Sequence, residues 1–231
     1  PLWALGWSDA LAAVALGFDR LVRKRVNDRE LLERKRALEA AVAERTQSLL
    51  AANEELAAVR DAYIKLAEVD ALTQIGNRRY FEKELNRAMA LTSRLAMPLC
   101  LMIADIDYFK AVNDRLGHPV GDEYLRKIGR VLADTARLGE DIVARLGGEE
   151  FAILLINTRQ EGGQVFAERV RGAVAALELA NSGGVNGRVS LSIGVTVRDP
   201  SEQIDAAQLI ERADIALYQA KREGRDRIVV L

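Results

Sequence analysis

The sequence predicts an α/β fold, in which an α+β sandwich of ferredoxin-like type follows a long coiled-coil helix. Residues 19–68 contain neither Pro nor Gly and are rich in Ala, Leu, Glu and Arg, which favour helix. From residue 70 onward, short apolar runs alternate with helical segments, and Gly147-Gly148 joins two of the runs as in a β-hairpin. Strands that alternate with helices but include one direct hairpin are typical of ferredoxin-like sandwiches.

An apolar seam runs along the long helix with alternating spacings of three and four residues, which is the repeat of a coiled coil. The seam is too narrow to bury much surface within one chain. Residues 19–69 are therefore predicted to pair as a parallel homodimer, and the alternative is a helix that packs along its own domain. The seam comprises Leu31, Lys35, Leu38, Val42, Arg45, Leu49, Ala52, Leu56, Val59, Tyr63 and Leu66.

Residues 1–18 carry one formal charge, Asp9, and four basic residues follow between positions 20 and 25. This order predicts the end of a transmembrane helix that enters the cytoplasm. The alternative is a helix that is buried in the protein or against a partner. The order argues against a signal peptide, because the charges follow the apolar part instead of preceding it. Since the chain begins with Pro instead of Met, we expect it to be part of a longer protein.

Composition excludes several classes of site. The formal net charge is -1, so no basic field predicts nucleic-acid binding. Cys100 is the only cysteine and lies in an apolar run, which predicts a core residue without a disulfide. His118 is the only histidine, which excludes a multi-histidine metal site.

Residues 70–231 are predicted to form one domain. Apolar periodicity and turn residues define ten elements in it. The predicted helices are 78–95, 108–116, 121–136, 161–179 and 206–223, and the predicted strands are 99–105, 142–146, 150–156, 189–196 and 227–230.

Acidic residues stand at the ends of two of these strands. Asp105 and Asp107 end one strand, and Glu149 and Glu150 occupy the hairpin turn. If the strands are neighbours, three or four carboxylates converge. Their electrostatic repulsion is unfavourable unless a cation lies between them. Oxygen ligands favour Mg²⁺ or Mn²⁺, with phosphates and water completing the shell. The alternative is a set of ordinary solvated turn acids.

Glycines and cations lie close to these acids in the sequence. Gly147 and Gly148 leave their amides open to a ligand, although a plain hairpin turn explains them equally well. Lys110 follows the acidic strand end, and Lys221 and Arg225 are four residues apart on one predicted helix face. Separated cations suit a triphosphate. The alternative for the helix pair is complementation of the helix dipole.

Residues 70–231 resemble the GGDEF domain of diguanylate cyclases over their whole length. Residues 145–151 read Arg-Leu-Gly-Gly-Glu-Glu-Phe, the GGEEF form of the defining motif. The other family blocks follow the family order: Asp70-Ala71-Leu72-Thr73, Asn77-Arg78-Arg79, Asp105-Ile106-Asp107-Tyr108-Phe109-Lys110, Asn113-Asp114, Gly117-His118, Gly121-Asp122 and Ala220-Lys221-Arg222-Glu223-Gly224-Arg225.

The resemblance implies a palm-like fold related to nucleotide cyclases, and condensation of two GTP molecules into cyclic di-GMP and two pyrophosphates. Two Mg²⁺ or Mn²⁺ ions would serve each site. Asp105, the Ile106 carbonyl and Glu149 would hold the metals, and Glu150 would assist the second metal or the developing charge. The implied nucleotide contacts are Tyr108, Phe109, Lys110, Gly147, Gly148, Lys221 and Arg225 for phosphates and Asn113 and Asp122 for guanine.

Two implied features concern assembly and location. Each 3′-hydroxyl must attack the α-phosphate of the other GTP, so two domains would face each other antiparallel. The catalytic domain would lie in the cytoplasm, tethered to the bacterial inner membrane in the full-length protein. For Asp122 the alternative is a helix N-cap after Gly121.

The chain departs from the family pattern upstream of the turn. The family's product-inhibition motif is Arg-x-x-Asp, whereas residues 138–141 read Leu-Gly-Glu-Asp and Arg137 is one residue out of register. We therefore predict no conventional inhibitory site. Asp226 also stands where Asn is usual, with no evident consequence. Two other functions stay open: a catalytically silent GTP-binding regulator, and a coiled-coil relay with a passive domain.

Overall fold

The structure, a computed structural model, describes the backbone of residues 3–231 and the side chains of that range except 3–15, 22, 58, 61, 62 and 64–66. Contacts divide the chain into one unit that ends at Tyr63 and another from Ile64 to Leu231.

The first unit consists of helix α1 (Trp3–Glu68), which continues into the second unit. The predicted seam is exposed from Leu31 to Tyr63, with Leu31, Leu49 and Leu56 each about two-thirds exposed, and its last member, Leu66, lies outside the described side chains. Of the predicted apolar segment 1–18, residues 1 and 2 and the side chains of 3–15 lie outside the described part. Within the described part, no helix is long and apolar enough to span a membrane.

The second unit is built around one six-stranded sheet with the order β1-β3-β4-β2-β5-β6. Its middle four strands, β3-β4-β2-β5, are antiparallel and follow the ferredoxin-like order, as predicted. The elements after α1 are β1 (Gly76–Asn77), α2 (Arg78–Leu95), β2 (Leu99–Ile106), α3 (Phe109–Leu116), α4 (His118–Thr135), β3 (Ile142–Gly147), β4 (Glu150–Ile156), α5 (Gln160–Ala175), β5 (Leu191–Arg198), α6 (Ala206–Arg222) and β6 (Ile228–Val230).

Every residue of β2 is buried, because helices cover both faces of the sheet. Cys100 and Met102 face a core formed with α3, α4 and α5, so the prediction of a core cysteine is confirmed. Leu101 and Ile103 face a second core formed with α2 and α6. A strand buried on both faces reads as a continuous apolar run, which is how β2 appears in the sequence.

Two helix boundaries differ from the prediction by three residues or more, and one strand was not predicted. Helix α4 begins at His118, earlier than predicted, because Pro119 fits the first turn of a helix. Helix α5 ends at Ala175, short of 179, and Glu178 adopts a left-handed conformation just beyond it. Strand β1 was not predicted, because two residues are too few to show the alternation of apolar and polar residues that marks a strand.

Gly194 in β5 allows α6 to pack directly on the sheet. A Cβ atom at this position would overlap the carbonyl oxygen of Ala213 and the amide nitrogen of Leu217, both backbone atoms.

We expect Gly194→Ala to lower the free energy of unfolding by about 2 kcal/mol or more, measured by urea denaturation. The control is Gly172→Ala in α5, where a Cβ meets nothing within 4 Å. It should leave stability unchanged or raise it by up to about 1 kcal/mol. Equal effects of the two changes would contradict this packing argument.

Candidate active site

The acidic residues of the two strand ends meet at one edge of the sheet. Strands β2 and β4 are antiparallel neighbours in which Asp105 pairs with Glu150. The Ile106 amide donates to the carbonyl of Glu149 over 3.3 Å, which holds the hairpin turn against the end of β2. Asp105, Glu149 and Glu150 therefore converge as the sequence predicts, although 42 residues of chain lie between Ile106 and Glu149.

The turn itself depends on its glycines and on one arginine. Gly147 and Gly148 have φ values of 143° and 53°, a region that side chains other than glycine rarely adopt. Arg145 donates two hydrogen bonds to the Gly148 carbonyl, over 3.0 and 2.7 Å. Its Nη1 also lies 3.1 Å from Asp70 Oδ1. Arg145 thus links the turn to the segment that follows α1.

Lys221 in the last turn of α6 pairs with Asp105, with 2.8 Å between Nζ and Oδ2. Burial raises the pKa of Asp105 to about 6, while Lys221 opposes that shift and Glu149 and Glu150 add to it. The ammonium is thus the counter-charge of the buried carboxylate.

Tyr108 and Arg225 form a second contact beside the acids. The Arg225 guanidinium lies 4.3 Å from the ring centroid of Tyr108, and Nη1 donates to its hydroxyl over 3.1 Å. The prediction that Arg225 shares a helix face with Lys221 is wrong. Helix α6 ends at Arg222, and Arg225 is left-handed with φ 64°, its amide bonded to the carbonyl of Ala220.

Helix α3 presents its N-terminus at this edge. Phe109 and Lys110 are its first two residues, so their amides have no partner within the helix and can bind an anion. The Phe109 side chain is buried, which leaves only its backbone for such a role, whereas Lys110 is exposed.

Asn113 on α3 and Asp122 on α4 lie on neighbouring helices. Gly121 is buried between these helices, and a Cβ there would overlap Asn113 Oδ1, so the glycine makes room for the amide. The alternative that Asp122 is an N-cap is wrong, because α4 already begins at His118 and Gly117 is its N-cap. The Asp122 carboxylate is therefore free of a capping role.

Comparison with known proteins decides the family. The family described as diguanylate cyclase, GGDEF domain, matches residues 67–227. The chain belongs to the GGDEF domain family. The probable diguanylate cyclase DgcT of Escherichia coli K12 is 39% identical over 166 residues, which are 71% of this chain and 36% of that protein. The chain thus spans about a third of the length of the curated relatives it matches first.

Solved GGDEF domains have the same fold. The GGDEF domain of DgcB from Caulobacter crescentus, in complex with c-di-GMP, is 36% identical with a TM-score of 0.65, covering 71% of this chain and 95% of that one. The coiled coil and GGDEF domain of the same protein, also with c-di-GMP, is 33% identical with a TM-score of 0.68, covering 84% and 99%. The long helix before the GGDEF domain is therefore shared with that structure.

Asp107 does not join the acidic cluster of this GGDEF domain, contrary to the sequence prediction. Its side chain is fully buried and accepts hydrogen bonds from Ser190 Oγ and Ser192 Oγ on the β5 side, over 2.6 and 2.7 Å. The sequence places Asp107 at the same strand end as Asp105. Strand β2 ends at Ile106, however, and the chain turns toward β5.

Asp214 on α6 is an exposed acidic residue near Glu150 that the sequence did not single out. Burial raises its pKa, and the charge of Glu150 raises it further, whereas Arg78 and Lys221 lower it. Asp214 precedes Lys221 by seven residues, two helical turns, and this spacing was the available signal. An isolated acid on an amphipathic helix is too common to be noticed by itself.

The donor set of the site suits a hard divalent cation. Asp105 and Glu149 offer carboxylates and Ile106 a carbonyl, and such oxygen ligands fit Mg²⁺ or Mn²⁺. Among the side chains that the structure describes, no three acidic, His or Cys groups form a complete metal cluster. A metal here would therefore depend on oxygen atoms from phosphate and water as well.

The titration of Asp105 tests this geometry directly. In the wild-type protein its carboxyl should titrate near pH 6 in a carbon-13 NMR experiment. Because the Lys221 ammonium favours the ionised form, Lys221→Met should raise the pKa of Asp105 further. Lys127→Met is the control, since Lys127 is exposed and pairs with Glu123. A wild-type pKa near 4, or no response to Lys221→Met, would contradict the predicted burial and ion pair.

Proposed function

We propose that this chain is the catalytic part of a diguanylate cyclase, which condenses two GTP molecules into cyclic di-GMP and two pyrophosphates. The observation that carries the proposal is the convergence of Asp105, Glu149 and Glu150 at an intact Gly-Gly turn. A domain that only binds GTP would not need all three acids together.

Each part of the site has a task in this reaction. Asp105, the Ile106 carbonyl and Glu149 would hold the divalent cations, with Glu150 beside them. When bound, two such ions neutralise the triphosphate and lower the pKa of the attacking 3′-hydroxyl. The domain itself contributes positioning and electrostatic stabilisation, as is general in phosphoryl transfer.

The nucleotide would lie between α3, α4 and the end of α6. Asn113 and Asp122 would read guanine, because a carboxylate can accept from its N1–H and N2–H₂ groups together. The amides that open α3 and the flexible ammonium of Lys110 would contact phosphates. Lys221 and Arg225 would hold the β- and γ-phosphates. Lys221 would therefore leave Asp105 and contact a phosphate when metal and nucleotide bind.

One domain offers one such set of groups, so it binds one GTP. The two 3′-hydroxyls must each reach the α-phosphate of the other molecule, which requires two domains face to face. We infer that α1 supplies this pairing as a parallel coiled coil. Membrane tethering upstream of the chain and a cytoplasmic position for the domain also remain part of this proposal.

The loop before β3 supports the absence of a conventional inhibitory site. Leu138 is fully exposed where the motif needs an arginine. Arg137 instead bonds to both carboxylate oxygens of Asp141, over 3.1 and 2.8 Å. Both groups that could contact a cyclic dinucleotide are thus paired with each other.

An assay of the purified protein with GTP and Mg²⁺ tests the function. The wild type should form cyclic di-GMP, detected by mass spectrometry, and Glu149→Gln should reduce the rate on the order of a hundredfold or more, because a metal-binding charge is lost. Glu161→Gln changes an exposed acid at the start of α5 and should have no effect. Near-normal turnover by Glu149→Gln would contradict the metal assignment. GTP binding without product at high protein concentration would indicate a regulatory GTP-binding domain.

The coiled-coil seam makes turnover depend on dimerisation. Leu49→Gln with Leu56→Gln should yield a monomer whose turnover per chain rises steeply with protein concentration, measured together with its mass in solution. The control is Leu50→Gln, which changes an equally exposed leucine outside the seam and should keep the dimer. A proven monomer with turnover that is unchanged and independent of concentration would contradict the two-domain mechanism.

A further inference from the structure

The buried carboxylate of Asp107 lies beside the candidate site without facing it. Three donors satisfy it: Ser190 Oγ and the Asp226 amide reach Oδ2 over 2.6 and 3.0 Å, and Ser192 Oγ reaches Oδ1 over 2.7 Å. A buried carboxylate is costly unless such bonds are complete. Asp107 and its donors are therefore a fixed unit, and the Asp226 amide is the one of these three donors that does not come from residues 190–192.

That amide belongs to the loop that carries Arg225. Arg225 and Asp226 have φ values of 64° and 45°, two successive left-handed residues that are not glycine. Such a conformation persists only where surrounding contacts hold it. Here the Arg225 amide bonds to the Ala220 carbonyl, the Asp226 amide bonds to Asp107, and the Asp226 carboxylate bonds to Arg171 over 2.9 Å.

Tyr108, the residue after Asp107, is also left-handed, with φ 54°. Asn181 Nδ2 donates to the carbonyls of both Asp107 and Tyr108, over 3.2 and 3.3 Å. The bond between Asp107 and the Asp226 amide therefore joins the chain neighbours of Tyr108 and Arg225. These are the two residues whose ring and guanidinium are stacked beside the acids.

We propose that Asp107 is a positioning residue for phosphate binding, whose carboxylate fixes the loop 223–227 so that the Arg225 guanidinium stays in place beside Tyr108. This inference rests on the proposed function, in which Arg225 holds the terminal phosphates of GTP. Asp107 itself touches neither nucleotide nor metal. Its loss should weaken the contribution of the β- and γ-phosphates to binding and leave guanine recognition unchanged.

The test compares two nucleotides by calorimetry with Mg²⁺ present. One is GMP, and the other is a GTP analogue with a methylene group between the α- and β-phosphates, which cannot release pyrophosphate. Asp107→Ala should weaken the binding of the GTP analogue by about tenfold, as expected for a lost charge-assisted contact. The affinity for GMP should stay unchanged. Arg225→Ala should show the same pattern, and the double variant should lose little more than either single variant.

Two variants separate positioning from damage to the core. Asp107→Asn keeps one oxygen for the Asp226 amide, and its NH₂ can donate to Ser192, whose hydroxyl rotates to accept. It should retain the preference for the analogue. Ser192→Ala removes a bond to Asp107 without touching the loop and should also retain it. If Asp107→Ala does not fold, Asp107→Ser replaces it, because its hydroxyl is too short to reach the Asp226 amide.

The preference for the analogue over GMP decides the outcome. The inference would be overturned if folded Asp107→Ala or Asp107→Ser protein kept the wild-type preference for the analogue over GMP. An equal loss of affinity for both nucleotides would also overturn it. The measurement needs no turnover. The inference can therefore fail while the wild type still forms cyclic di-GMP, and it can hold even if the wild type proves inactive.

Discussion

The antiparallel register between β2 and β4 is the constraint on which the site depends. It places Asp105 opposite Glu150, and the hydrogen bond from the Ile106 amide to the Glu149 carbonyl holds the hairpin turn against the end of β2. Because side chains alternate along a strand, a slip of one residue would turn the acids to the other face. The buried residues of β2, which lie in both cores, prevent such a slip.

Concentrating acids at that edge requires compensation, and Lys221 of α6 supplies it. Lys221 neutralises Asp105 from the last turn of the helix, and Arg225 follows in a loop of left-handed residues. Gly194 lets α6 approach the sheet closely enough for this contact. Under the proposed function Lys221, which balances Asp105 in the free domain, would bind a phosphate instead when the triphosphate is present.

Apolar patterning and the Gly147-Gly148 hairpin predicted the ferredoxin-like class of the fold, and the meeting of Asp105 with Glu149 was expected if their strands were neighbours, as they are. The sequence did not predict the burial of Asp107, since the partners Ser190 and Ser192 lie more than 80 residues away and become neighbours only in the sheet. The position of Arg225 was missed for a related reason. Helical spacing from Lys221 assumes that the helix continues, whereas contacts with the Ala220 carbonyl and Asp107 end it.

The exposed seam of α1 and the single set of candidate site residues in each domain both favour a second copy of the chain as the partner. Under the proposed function a single domain would offer one pair of residues for guanine, Asn113 and Asp122, and one set of cations for phosphates, whereas cyclic di-GMP contains two linked nucleotides. Exposed leucines at three- and four-residue spacing leave apolar surface that a second helix would bury. Such pairing raises the effective concentration of one domain near the other. Arg145 bonds both to Asp70, which follows the end of α1, and to the Gly148 carbonyl of the GGEEF turn.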